Sequence, residues 1–553
     1  MDISGMSEEE QLQAAMQLSL QDPDVVMGRS TGGQPAAANT QAQQLRPDDR
    51  GRPRAFPGKD SQDAPAAFSA KKQRGEPRAE PAGSTFRLSS AEVGELFQLI
   101  FGDRPEAPDV ERWFNVGFQF SRHAGTEWGL WQRHGGPCGV FAPVQAFMLR
   151  QLLFSEASGD TSTDGDASAD AAKRRVEPLT ARPDQEDLRG ATLANALASV
   201  LYHATPTSSY AICQVAHPQG VEASSASASA AAAAAAVVTS GASSIEVTGR
   251  RVSHVADVQQ LLEEGVETWL AGPCGVLSFI CSVLMSRTPT GTREDMDDPT
   301  TPMIGRFGHC SQELVNLMLI GEATSNVFDG SRWLGDDPSS GLLVKGVDGD
   351  KVGVPNIGFL SELEPMRYLC VGSLYKNPEY PIWVLGSSTH YTVLFSIRRS
   401  DSQLSAEAQL EQKAKKVFNE NSIDDGGLAM SSSLGKLLEG LGINSDRQSQ
   451  AMSDLVREDI ILWDDFRNWA RRQFGLAEGP PGSEAVPHRQ FDLFLYDGQD
   501  PPGPTLRSVT LETSDIDPSL AGAETDAFTA TLQTRWPNAV TSVRAVAGAG
   551  REA

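Results

Sequence analysis

Large apolar residues are scarce between residues 23 and 84 and frequent after Phe86. The segment 23–85 is rich in Gln, Ala, Gly, Pro, Arg and Asp. Such a chain buries too little surface to offset the entropy of ordering it, so a disordered linker is expected there. Ahead of it, "SEEEQLQAAMQLSLQDP" predicts one short helix within residues 1–22. Ser7 and Glu10 have capping-box spacing, the acids crowd the first turn, and Asp22-Pro23 stops the run.

Beyond the linker, "FRLSSAEVGELFQLIFGD" predicts a helix capped by Ser89 or Ser90, and "GVFAPVQAFMLRQLLF" keeps apolar residues at helical spacing for several turns. Helical patterns recur in "ATLANALASVLYHA", "VADVQQLLEEGVETWL", "VLSFICSVLMSR" and "SQELVNLMLIGEA". "SYAICQV", "YPIWVLG", "HYTVLFSIR", "QFDLFLYD" and "LRSVTLETS" are short, β-branched or aromatic, and read as strands. Residues 404–475 interrupt the later strands with helix-forming sequence. Residues 155–176 and 218–244 are low in complexity and read as surface insertions. The pattern predicts an α+β domain over 86–553 with late antiparallel strands.

Charge narrows the partners. Lys and Arg total 47 against 72 acids, a net charge of −25. An acidic surface repels phosphate backbones, so nucleic acid is not expected as a partner. No apolar run reaches the ~18 to 20 residues of a membrane helix. The start, "MDISGMSEEE", is acidic and lacks a leader's apolar core. The six cysteines are scattered without CxxC pairs, so free thiols in a reducing compartment, cytoplasm or nucleus, are expected.

Two of those cysteines share a pentad: "GGPCGV" holds Cys138 and "GPCGVL" holds Cys274. Their settings differ. Cys138 follows a Gly-Gly-Pro turn and opens an amphipathic helix, where unpaired backbone N–H groups stabilise a thiolate and can hold an oxyanion. Six residues earlier, Gln132 offers an amide donor; the second copy has Thr268 there and continues into a helix that is apolar almost all round. Cys138 is thus the candidate nucleophile, and Cys274 reads as a core residue. A cysteine nucleophile needs a base distant in sequence but near in space. His390, at the start of "HYTVLFSI" after a Gly-Ser-Ser-Thr turn, fits best; His134 and His309 are weaker candidates. Asp497 in "FLYDG" is open to two readings, a partner for His390 or an ordinary Asp-Gly turn. No metal-ligand spacing and no phosphate loop occur, so neither metal nor cofactor is expected.

Four stretches, "WQRHGGPCGVFAPVQAFMLRQLLF", "GHCSQELVNLMLIGEATSNVFDG", "GFLSELEPMRYLCVGSLYKNPEYPIWVLGSSTHYTVLFS" and "LQTRWPNAV", resemble, in order, the MINDY family of cysteine deubiquitinases. The resemblance implies a papain-like domain, with Cys138 as nucleophile, His390 as general base and Gln132 as oxyanion donor. It also implies polyubiquitin as substrate, with preference for lysine-48 linkages; an inactive ubiquitin-chain-binding scaffold is the alternative. "EEEQLQAAMQLS" resembles a ubiquitin-interacting motif, in which Leu12, Ala15, Met16 and Ser19 would meet ubiquitin's apolar patch and Glu8, Glu9 and Glu10 the basic residues around it. Within 404–475, "KKVFNENSIDDGGLAMSSSLGKLLEGLGI" resembles the EF-hand-like insert of one MINDY branch. Placing Gly427 at the loop's glycine puts Ser422, Asp424, Gly426 and Ser433 at ligand positions, a single carboxylate, so packing rather than calcium binding is expected.

Overall fold

The computed structural model describes residues 83–154, 186–216, 245–334, 342–402, 406–419, 421–422, 427–476, 489–499, 503–513 and 525–547. The proposed ubiquitin-interacting helix (Glu8, Glu9, Glu10, Leu12, Ala15, Met16, Ser19), nearly all of the linker, and the low-complexity segments 155–176 and 218–244 lie outside these residues.

The described chain begins with β1 (Ser84–Arg87), so Ser84 and Thr85 belong to a strand and not to the linker. Strand β1 pairs with β3 (Glu246–Val252), which pairs in turn with β2 (Tyr210–Ala216), giving a small antiparallel sheet. Only β2 was legible in sequence. The arginines and glycine of "EVTGRRV" hide β3, which succeeds because it is paired on both sides. Helix α1 (Ser90–Phe101) starts in a full capping box between Ser89 and Glu92. After it come α2 (Ala107–Phe114), α3 (Cys138–Phe154), α4 (Glu186–Ala204), α5 (Val255–Thr268), α6 (Gly275–Arg287) and α7 (Gln312–Ile320). The outer edge of β2 is covered by α6. Ser278, Ser282 and Ser286, one helical turn apart, accept from the N–H groups of Val215, Cys213 and Ala211 at 2.9, 2.8 and 2.9 Å. These serines satisfy strand donors that would otherwise be buried unpaired.

Among the described residues, strand β4 (Ser331–Leu334) pairs only with β5 (Leu342–Lys345), and the later strands form the main sheet, in the order β13-β12-β11-β8-β7-β6. Its strands are β6 (Gly358–Ser361), β7 (Ile382–Gly386), β8 (Tyr391–Phe395), β11 (Arg489–Asp497), β12 (Thr505–Thr513) and β13 (Val540–Ala547). Pairing is antiparallel among β7, β8, β11, β12 and β13, whereas β6, a strand without a sequence reading, runs parallel to β7. Alternation sorts the side chains by face. Ile382, Val384, Val393, Phe395, Phe494 and Tyr496 join the helical core, whereas Trp383, Leu385, Leu394, Leu493 and Leu495 face Leu532 and Trp536. Helix α3 packs against α4, α7, β7 and β8, which places its first residue beside the β7–β8 turn.

Between β8 and β11 lies the insert: α8 (Ala406–Asn419), β9 (Leu428–Met430), α9 (Leu434–Leu441), α10 (Gln448–Leu455), β10 (Ile460–Leu462) and α11 (Trp463–Gln473). It has its own core, including Phe418, Leu437, Leu438, Phe466 and Trp469. The helix–loop–helix read in sequence is the first of two such units, α8 with α9 and α10 with α11. Their loops join through antiparallel β9 and β10, with Ala429 opposite Ile461. Among the described residues no cluster of His, Cys, Asp or Glu has the makings of a metal site; Asp424 and Gly426 lie outside them.

Candidate active site

The segment ahead of Cys138 is tied to the end of β11. Tyr496 Oη donates to Leu130 O at 2.7 Å, and Gln132 N–H donates to Gly498 O at 3.0 Å. Gly136, at φ 114°, then turns the chain in a way that suits only glycine. The Pro137 carbonyl accepts from Val140 and Phe141 N–H at 2.9 and 3.1 Å, which opens α3 at Cys138. Gly139 lets this helix start lie on Cys310, since a Cβ there would come within 2.6 Å of the Cys310 Cβ. The second pentad works the same way: a Cβ on Gly275 would fall 2.1 Å from Leu270 O. The shared letters therefore build close-packed helix starts, and the chemistry comes from what surrounds each.

Around Cys274 there is none. It sits in the left-handed region at φ 62°, its Sγ contacts Phe114 O at 3.6 Å, and burial pushes its thiol up to about 12. Cys138 is also buried, 3% exposed, but its company is polar. Its Sγ lies 3.8 Å from Gly136 O and 4.0 Å from Thr389 O, and the His390 ring lines the same cleft beside it.

His390 closes the β7–β8 turn, fixed there by Ser387 N–H to its carbonyl at 2.9 Å and by its own N–H to Ser387 Oγ at 3.1 Å. Its Nε2 lies 2.8 Å from Asp497 Oδ1, leaving Nδ1 for the cysteine. The Asp-Gly pair is thus more than a turn, and Asp497 is the residue that the sequence alone leaves open. The β8–β11 register decides this: Tyr496 pairs with Val393, which sets Asp497 beside the start of β8. Asp497 Oδ1 also accepts from Gln499 N–H at 2.9 Å. Burial disfavours the charged imidazole, but hydrogen bonds to Asp497 and Cys138 and their charges outweigh it and raise His390 to about 10. For Asp497, burial likewise opposes ionisation, and the hydrogen bond from His390 overcomes it and holds the carboxyl below its usual range. The two shifts agree in describing an ion pair.

Gln132 is 4% exposed and lines the same narrow cleft as Cys138, His390, Gln145, Tyr391 and Gln499. Its Nε2 donates to His134 O and, at 3.4 Å, to Gln499 Oε1, a neighbour with no sequence signal. In the first turn of α3, the N–H groups of Gly139 and Val140 lie against the Cys310 sulfur, and Val140 N–H also bonds Pro137 O. The Cys138 N–H has no acceptor among the described residues. The groups this corner could offer to a developing oxyanion are therefore that one N–H and the Gln132 amide. His134 is exposed and offers only its carbonyl; His309 closes the neighbouring loop through its carbonyl to Gly305 N–H at 2.8 Å.

A helix-borne cysteine facing a histidine that a carboxylate holds is the constellation of thiol hydrolases. The chain belongs to the MINDY-3/4 family: the family model described as "Deubiquitinating enzyme MINDY-3/4, conserved domain" matches residues 98–414. It is 30% identical over 470 residues to ubiquitin carboxyl-terminal hydrolase MINDY-3 of Bos taurus and of Homo sapiens, a match covering 80% of this chain and 95% of each relative. It is 32% identical over 304 residues to the probable ubiquitin carboxyl-terminal hydrolase MINDY-4 of Mus musculus, covering 55% of this chain and 37% of that protein. No solved structure matches.

Proposed function

We propose that this chain is a thiol-dependent deubiquitinase that cleaves isopeptide bonds in polyubiquitin, with lysine-48-linked chains as its preferred substrate. Membership of the MINDY-3/4 family supports the reaction, and the family resemblance is what supports the linkage. The observation that carries the site assignment is His390, set between Cys138 and Asp497.

In this reading the Cys138 thiolate attacks the carbonyl carbon of ubiquitin's C-terminal glycine, and the Cys138 N–H and Gln132 hold the oxyanion. His390 protonates the departing lysine amine, leaving a thioester on Cys138. The neutral ring then takes a proton from water, which attacks the thioester and releases ubiquitin's carboxylate and the thiol. Asp497 orients the ring and stabilises its charged form. Since both Gln132 amide hydrogens have acceptors in the free protein, the long bond to Gln499 is the one to yield to the oxyanion.

A ubiquitin probe with a thiol-reactive C-terminus tests this. Wild type and Cys274→Ala are expected to be labelled and Cys138→Ala not at all; labelling that persists in Cys138→Ala overturns the site assignment. Linkage preference is read separately, from cleavage of a panel of diubiquitins.

A further inference from the structure

Beside the nucleophile, the loop 305–309 holds an aromatic residue in a backbone conformation that disfavours it. Phe307 has φ 61° and ψ 15°, the left-handed region, where a bulky side chain is an outlier. Helix α2 imposes that conformation from three positions. Arg112 Nη1 donates to Phe307 O at 2.7 Å, Trp113 Nε1 donates to Gly308 O at 3.0 Å, and the Asp109 carboxylate accepts from Phe307 N–H. The strain is thus held in place by its surroundings, as happens at functional sites. The loop also abuts the approach to Cys138. Arg112 Nη1 bonds Gly135 O as well, at 3.4 Å, and a Cβ on Gly136 would fall 2.7 Å from Gly308 O. The ring held there packs into no core: Phe307 is 43% exposed. Glycine would adopt this backbone without strain, so fold alone gives no reason for an aromatic residue.

In the deubiquitinase reading the leaving nitrogen takes its proton from His390, and Gly135 and Gly136, which lead into the nucleophile, are tied to the loop that carries Phe307. Building on the deubiquitinase reading above, we propose that Phe307 is a substrate-contact residue, packing against the apolar part of the donor ubiquitin's C-terminal tail as it extends toward the buried thiol.

The test uses the full chain and ubiquitin bearing a C-terminal propargyl amide, a probe that has the donor side only. Labelling rates against probe concentration separate binding from chemistry. Phe307→Gly is expected to raise the half-saturating concentration about tenfold while leaving the maximal rate within about twofold, the signature of lost binding without lost chemistry. Its melting temperature is expected to equal or exceed wild type, because the strain is relieved. Phe307→Tyr, which keeps the ring, is expected to restore the half-saturation value. An unchanged half-saturation in Phe307→Gly overturns the proposal. So does a lower melting temperature with both kinetic parameters impaired, since the ring would then serve the fold. A wild type that stays unlabelled sinks the hydrolase reading itself and not merely the role of Phe307.

Discussion

His390 is gripped by two partners that both favour its charged form, and this sets a pH dependence with a definite sign. Its folded value of about 10 lies above the ordinary 6.5, so the native state keeps a proton that the unfolded chain gives up between those values. The stabilisation is complete below about pH 6.5 and disappears as pH rises through about 10. Asp497, held low by the same contact, contributes on the acid side, where its share is lost as pH falls below the ordinary 3.8. Asp497→Asn leaves a similar shape and removes the charge. We expect its urea midpoint to fall less steeply than wild type's between pH 7 and 10, as unfolding followed by intrinsic fluorescence would report. In the hydrolysis assay the same variant is expected to lose roughly 10²-fold in kcat with little change in KM, because it loses stabilisation of the imidazolium and not substrate contacts.

Among elements, α3 and α6 show how far a sequence pattern reaches. Both begin with Gly-Pro-Cys-Gly-Val, and both second glycines are required by close approach. Past that shared start the two helices part: α3 lies on the sheet strand next to His390, whereas α6 turns three serines onto the edge of β2. The serine spacing was visible in the sequence, but its meaning depended on β3, which propensity does not reveal. The insert is the opposite case, an element whose packing is largely self-contained. Trp469 is 1% exposed within the insert's own core, and Arg467 and Arg471 both reach Glu411 there. Trp469→Ala is therefore expected to cost the insert about 3 to 5 kcal/mol. Hydrogen exchange should show protection lost across 406–473 while probe labelling of Cys138 stays within about twofold of wild type. Labelling that collapses together with the insert would mean that the insert supports the active site.

Among the described residues, Gln132 and Cys138, His390, and Asp497 with Gln499 come from three separate stretches, and the loop 305–310 packs beside them. For the proposed ubiquitin-interacting helix, which lies outside the described residues, the expected contribution is of another kind, a raised local concentration of the ubiquitin chain. Deleting residues 1–22 is expected to slow the trimming of long chains several-fold, an effect of effective concentration, and to leave the labelling rate with monomeric probe unchanged. Equal loss in both assays would place the helix in the catalytic domain's fold.

Sequence alone determined what local pattern can carry. It supplied the α+β class, a helix capped by Ser89 or Ser90, the strands around His390, and Cys138 rather than Cys274 as the candidate nucleophile, since a helix start, a preceding glutamine and a distant histidine all lie in readable motifs. Tertiary structure decided the rest. Asp497 became the partner of His390 through strand register, Gln499 reached Gln132 across 367 positions, and Phe307 was left facing outward by contacts from α2. The physical reason is the same in each case: a contact between distant residues depends on pairing and packing of whole elements, and a single chain read in order carries no record of which elements will meet.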